Sequence, residues 1–244
     1  MFHFIKKKKL LKDLIPSNHV DIHSHLLPGI DDGASSIKDT IFLTEQMQLL
    51  GFEQCVTTPH ILSNVWDNTR EIIEATYHST LATLNNQQNL SLRYAAEYMV
   101  DPNFAIRFQN EPLLTLKENY VLIEISYINP PIQLYNIIFD LQVAGYHPVL
   151  AHPERYLYYH YNFREYEKLK NAGCFFQLNL LSTVGYYGHE VTKLSELLLK
   201  KGLIDFVGSD IHHAKHIEAF SNQVLIKDIT PIKKAIENNQ FFRW

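Results

Sequence analysis

Cysteine, long apolar runs and excess positive charge are all scarce in this chain of 244 residues. The two cysteines, Cys55 and Cys174, lie far apart in apolar surroundings, which excludes a disulfide framework and a cysteine zinc site and reads as two small buried residues. No apolar stretch approaches the roughly 20 residues that span a bilayer, and no signal-peptide pattern is present, so a cytoplasmic location without stable membrane insertion is expected. A formal net charge of −4 argues against a general nucleic-acid binder, whose phosphate contacts favour a basic surface. No low-complexity linker or composition break divides the chain.

What is present suits a globular core: 46% of residues are hydrophobic and 20% charged. One basic run, Lys6 to Lys9 behind Phe2, Phe4 and Ile5, marks residues 1–18 as an N-terminal basic arm, either solvated or touching anionic lipid at the inner face of the membrane. Residues 19–244 form the expected single domain. Apolar runs near 19–23, 54–58, 91–97, 120–125, 147–151, 174–179 and 204–209 read as strands. Helical periodicity fits 36–50, 69–86, 131–144, 162–172 and 189–201, with further helices from 214 and after Pro231; 98–118 is less regular. Gly51, Gly145, Gly173 and Gly202 each close a helical segment shortly before an apolar run. This alternation predicts an α/β fold with parallel strands, as a closed or nearly closed barrel of seven strands, with an open doubly wound sheet as the alternative.

Thirteen histidines is a high number for this length, and their placement is informative. In such barrels, functional groups gather at the C-terminal strand ends. The first strand leads into His23-Ser24-His25, the second ends at Thr58-Pro59-His60, the third at Ala96-Glu97, and the fourth carries Glu124. The fifth ends at Ala151-His152-Pro153 and the last at Ser209-Asp210-Ile211-His212. Singly, His60 reads more readily as a satisfied histidine than as a ligand, and either Glu97 or Glu124 could be a buried ion-pair partner. Together, so many buried polar groups on one face are unfavourable without a cation, and the mixture suits manganese, iron or zinc better than calcium.

These motifs, with Pro28-Gly29-Ile30-Asp31-Asp32-Gly33 and His152-Pro153-Glu154-Arg155-Tyr156, give the chain a family resemblance. It resembles the polymerase-and-histidinol-phosphatase (PHP) superfamily and, within it, capsule-biosynthesis protein-tyrosine phosphatases of the CpsB/CapC type, over about residues 20 to 213. The resemblance implies a distorted (β/α)7 TIM-like barrel, the PHP fold, with two or three divalent ions: Mn2+, with Fe, Zn or Mg as alternatives. It implies His23, His25, Glu97 and Asp210 on a first ion, Glu97, Glu124 and His152 on a second, and Asp32, His60 and His212 on a third. Asp31 could replace Asp32, or the pair could cap the helix starting near Ser36.

The implied reaction is metal-activated hydroxide attack on phosphorus, with Glu97, His152, Asp210 and Arg155 as the catalytic set. The implied partner is a phosphotyrosine protein, the tail of a bacterial tyrosine kinase regulating capsular or exopolysaccharide synthesis. Arg155 offers a planar fork for two phosphate oxygens, against the alternative of an ordinary ion pair with Glu154 or another acid. Thiolate chemistry is disfavoured, since neither cysteine opens a phosphate-cradling loop. Tyr156, Tyr158, Tyr159, Tyr161, Tyr186 and Tyr187 read equally as a slot for a phosphotyrosine ring and as rim packing. One departure stands out: where the family carries a second phosphate-binding arginine, this chain reads His212-His213-Ala214-Lys215-His216, so Lys215, His213 or His216 would take its place. A small phosphomonoester such as histidinol phosphate, a non-catalytic metal-binding module and C–N bond hydrolysis are the rival functions.

Overall fold

The computed structural model describes residues 9–84 and 90–244. Its strands are β1 His19–Asp21, β2 Phe52–Thr57, β3 His60–Ile61, β4 Ser91–Tyr94, β5 Glu97–Met99, β6 Tyr120–Glu124, β7 His147–Ala151, β8 Phe175–Asn179 and β9 Phe206–Gly208. All pair in parallel, as a sheet β1-β2-β4 and a sheet β3-β5-β6-β7-β8-β9. The expected strand 91–97 is broken at Ala95-Ala96 into β4 and β5, and the expected strand 54–58 is followed, across a break at Thr58-Pro59, by the short β3. Proline has no amide hydrogen to give a ladder, yet its carbonyl still accepts: the Glu97 amide donates to the Pro59 carbonyl and the Ala95 amide to the Thr57 carbonyl, carrying the pairing across the break. On the other side of the ring a parallel bridge joins Ser24 to Ile211, and the amides of Asp210 and His25 donate to the carbonyls of His23 and Ile211. The strands thus follow one another in chain order as a distorted barrel. Without a reversal of order there is no switch point, and the doubly wound alternative falls away.

The helices are α1 Ile37–Leu49, α2 Arg70–Leu84, α3 Pro102–Asn110, α4 Leu134–Val143, α5 Arg164–Asn171, α6 His189–Lys200, α7 Ala214–Ala219 and α8 Thr230–Asn238. Helix α3 lies in the segment that the sequence pattern left irregular; the Asp101 side chain accepts from the Phe104 amide, Pro102 opens the helix, and Phe104 and Phe108 bury one face. The four helix-stopping glycines all take positive φ, between 68° at Gly202 and 105° at Gly51, a conformation that costs any residue with a Cβ. Core side chains such as Phe176, Tyr166 and Leu198 fill the space between strands and helices. Each such burial contributes roughly 1.5–3 kcal/mol of favourable transfer, before the entropy of ordering is set against it.

Residues 1–8 of the expected basic arm lie outside the described residues, so of the basic run only Lys9 is described. From Leu10 onward the chain packs: Leu10 bridges to Gln223, and Leu11 and Leu14 are buried in the same core as α1 and α8. Both cysteines are buried and unpaired. Among the described residues no helix is long and apolar enough to cross a membrane.

Candidate metal centre

Every ligand residue expected from the sequence reaches one cluster, where strands end or, at His60 and Glu97, resume after a break. His23 and His25, one residue apart just after β1, point to the same side, and their Nε2 atoms stand 3.3 Å from each other. Between them Ser24 turns away, donating its hydroxyl to the Val56 carbonyl. Glu97, at the start of β5, lies at the centre, with Oε2 3.2 Å from both His23 Nε2 and His60 Nδ1 and Oε1 3.1 Å from His152 Nε2. Glu124, at the end of β6, places Oε1 3.0 Å from His60 Nδ1. Asp210 Oδ1 stands 3.3 Å from His23 Nε2 and 3.4 Å from His212 Nδ1.

His152 and Asp210 have φ of 35° and 51°, in the left-handed region that side chains with a Cβ avoid. These turns follow directly on β7 and β9, and they are fixed by the His152 amide donating to the Gln177 carbonyl and the Asp210 amide to the His23 carbonyl. Strain held in this way by surrounding hydrogen bonds aims both side chains inward.

The outer ring nitrogens settle which way the imidazoles face. His25 Nδ1–H donates to Asp31 Oδ2 at 2.8 Å, His23 Nδ1–H to Gln177 Oε1 at 2.7 Å, and His212 Nδ1–H to the Asp210 carbonyl at 2.9 Å. With those protons committed to acceptors, three Nε2 lone pairs face the cluster. His60 Nδ1 is buried without a hydrogen-bond partner. Lone pairs and carboxylate oxygens packed 3.0–3.6 Å apart repel one another unless protons or cations stand between them. Burial disfavours charge on His25, yet the Asp31 carboxylate overrides it and pushes the pKa up to about 10; His23 is raised by Glu97 and Asp210 against the same burial. Glu97 and Asp210 are held below the ordinary carboxylate range: burial opposes their charge, but the imidazoles around them outweigh it. Divalent ions would replace those protons with fixed charge, so this donor set fits them well.

Four groups of donors come close enough to share an ion: His23, His25 and Asp210; His23, Glu97 and His152; His60, Glu97 and Glu124; and His25, Asp32, His60 and His212. His23, His25, His60 and Glu97 each take part in two of them. The partition differs from the implied one: Glu97 is absent from the group of His23, His25 and Asp210, His23 stands with Glu97 and His152 in place of Glu124, Glu124 meets His60, and His25 joins Asp32, His60 and His212. Of the two neighbouring aspartates, Asp32 belongs to one of these groups and Asp31 to none. Asp32 is 57% exposed and turned to His60 and His212, whereas Asp31 is buried behind His25 and also accepts from the Gly33 amide. Neither caps α1, which is capped by Ser36 accepting from the Asp39 amide.

A cavity of about 240 Å3 lies over the cluster. Arg155 enters it with Nη1 2.8 Å from Asp210 Oδ2, so its ion pair is with Asp210 and not with Glu154. The guanidinium sits between the rings of Tyr187 and Tyr127, 4.2 and 5.0 Å from their centroids. Of the tyrosines singled out from the sequence, only Tyr187 lines this cavity; Tyr156 and Tyr159 are core residues and Tyr161 stands free in solvent. His213 and His216 line it too, while Lys215 is exposed and does not. His216 accepts from the His212 amide through Nδ1, and burial pushes its pKa down to about 3, which keeps it neutral.

Three contributors escaped sequence reasoning. Gln177 on β8 fixes His23. Asn179, at the end of β8, donates from Nδ2 to Asp210 Oδ2 at 2.8 Å and to the Tyr187 hydroxyl at 3.1 Å. Tyr127 stacks on His152 at 5.7 Å. The sixth strand was the one expected strand without a ligand type at its end, and Gln177 and Asn179, alternating along it, are the signal that it feeds the same face.

The family described as capsular polysaccharide synthesis, CpsB/CapC, matches residues 19–223. CapC of Staphylococcus aureus is 30% identical over 198 residues, covering 79% of this chain and 76% of its own. Tyrosine-protein phosphatase YwqE of Bacillus subtilis is also 30% identical over 198 residues, covering 80% and 78%. A crystal structure from work on YwqE and on CpsB of Streptococcus pneumoniae, described as unique metal-dependent tyrosine phosphatases, superimposes with a TM-score of 0.76 at 26% identity, covering 91% of this chain and 85% of that one.

Proposed function

Because the chain belongs to the CpsB/CapC family of capsular polysaccharide synthesis, we propose that it is a metal-dependent protein-tyrosine phosphatase using manganese, acting in the cytoplasm on a tyrosine kinase of polysaccharide synthesis. The observation that carries the reading is the meeting of two phosphate-recognising features in one cavity: a cluster of cation ligands and the Arg155 guanidinium between two aromatic rings. In this reading His23, His25, Asp32, His60, Glu97, Glu124, His152, Asp210 and His212 hold two or three ions. When bound, such ions supply a water of lowered pKa and positive charge for the phosphoryl oxygens.

The chain's own residues do the rest. Arg155 presents parallel N–H donors to phosphate oxygens and turns from Asp210 toward the substrate to do so. Tyr127 and Tyr187 keep the guanidinium from swinging into solvent and offer flat apolar surface to the substrate ring. His213, which lines the cavity, would donate to a phosphate oxygen in place of the second arginine that the family resemblance implies. Asn179 keeps Asp210 oriented after Arg155 has left it.

The test is phosphate release from phosphotyrosine peptides with manganese added, for the wild type and for His152→Ala. Hydrolysis is expected in the wild type, falling at least about 100-fold in the variant while the fold survives. Turnover of histidinol phosphate with every phosphotyrosine peptide left intact would contradict the substrate, and full activity of His152→Ala would contradict the site.

A further inference from the structure

A second cavity, of about 310 Å3, adjoins the one over the cluster and shares Asp32, His212 and His213 with it. Its walls come from the loop after Asp32 and from the starts of α1 and α7, and none of the side chains it adds takes part in the metal cluster. Phe42 on α1 turns a ring that is 43% exposed toward this space, over the buried Leu43. Ala34 and Ala214, both small, leave the groove open between them. At the rim, the Asp39 carboxylate is fixed by the Ser35 and Ser36 hydroxyls at 2.6 and 2.8 Å.

A phosphotyrosine within a protein carries polypeptide on both sides, and with its phosphate at the cluster that polypeptide must leave along the surface. The continuity of the two cavities supplies a path. Resting on the phosphotyrosine reading above, we propose that this groove is a subsite for an apolar side chain of the substrate flanking the phosphotyrosine, with Phe42 as its specificity-determining contact. An aliphatic or aromatic side chain gains CH contact with Phe42 and Ala214, whereas an acidic one meets Asp39 and Asp32 and is disfavoured. Phe42 is not among the donors of the cluster, so its effect falls on recognition of the chain and leaves the chemistry of the phosphoryl group alone.

The experiment uses phosphotyrosine heptapeptides in an alanine background, with one leucine, or one glutamate, moved through each flanking position. Steady-state kinetics are read with manganese for the wild type, Phe42→Ser and Phe42→Leu, beside a small aryl phosphate that has no flanking chain. In the wild type one leucine position is expected to lower KM about five- to tenfold, with glutamate at that position raising it. Phe42→Ser is expected to erase that preference, Phe42→Leu to keep part of it, and kcat for the aryl phosphate to stay unchanged in both. Equal KM for all leucine positions in the wild type, or a preference that survives Phe42→Ser, would overturn the groove assignment while the phosphotyrosine reading stands. Hydrolysis of the aryl phosphate with no peptide turned over would overturn both.

Discussion

In the proposed complex Arg155 leaves Asp210 for phosphate, Asp210 then needs another donor, and Asn179 already supplies one. Asn179→Ala removes that donor without touching an ion, so manganese affinity measured by titration calorimetry is expected to fall about 10- to 100-fold, and an unchanged affinity would contradict the role. His19 gives a residue-scale prediction of another kind. Its ring is wholly buried against Phe52 with both nitrogens unpartnered, and burial pushes its pKa down to about 3. The unfolded chain takes up a proton below about pH 6.5 that the folded chain refuses, so this part of stability is intact above pH 6.5 and lost as pH falls toward 3. At pH 5 the loss is on the order of 2 kcal/mol. Denaturant unfolding of wild type and His19→Leu at pH 7 and pH 5 checks it: the variant is expected to lose less on acidification, and equal losses would contradict the assignment. The ligands themselves were legible because buried His, Asp and Glu at strand ends are costly residues with few other uses. Gln177 and Asn179 were not, since neutral amides carry no comparable cost.

The loop from His25 to Ser36 shows how an element is fixed by what it cannot accommodate. A Cβ on Gly33 would stand 2.2 Å from the His25 carbonyl oxygen and 2.4 Å from the His25 Cβ, so only glycine lets the loop fold back over that histidine. Gly33→Ala is expected to push His25 and Asp31 apart and weaken manganese binding at least tenfold, read by the same calorimetry; wild-type affinity would show that the loop relaxes without cost. Most elements were readable from period and punctuation, as with α6, where apolar residues recur at helical spacing and Gly202 ends the pattern. Helix α3 was missed because it is short and exposes its polar face, although Asp101-Pro102 is a start signal. The breaks at Thr58-Pro59 and Ala95-Ala96 were missed because an apolar run says nothing about where its ladder is interrupted. Those breaks matter, since His60 and Glu97 each begin a strand just after one.

At the scale of the molecule, the parallel ring turns a scattered set of residues, from His23 to His212, into one centre, because the strand ends and the breaks before β3 and β5 open on the same face. The seven-strand order was legible in the repeated helix, glycine and strand. The packing of Leu11 and Leu14 into the core was not, since two leucines beside a basic run carry no pattern. On the reading proposed above, the strand ends hold a multinuclear metal centre beside Arg155. Anomalous diffraction at the manganese edge, from crystals soaked in manganese chloride, tests it most directly. Two or three peaks are expected, within coordination distance of His23, Glu97, His60 and Asp210; an empty cluster, or manganese bound only elsewhere, would contradict it.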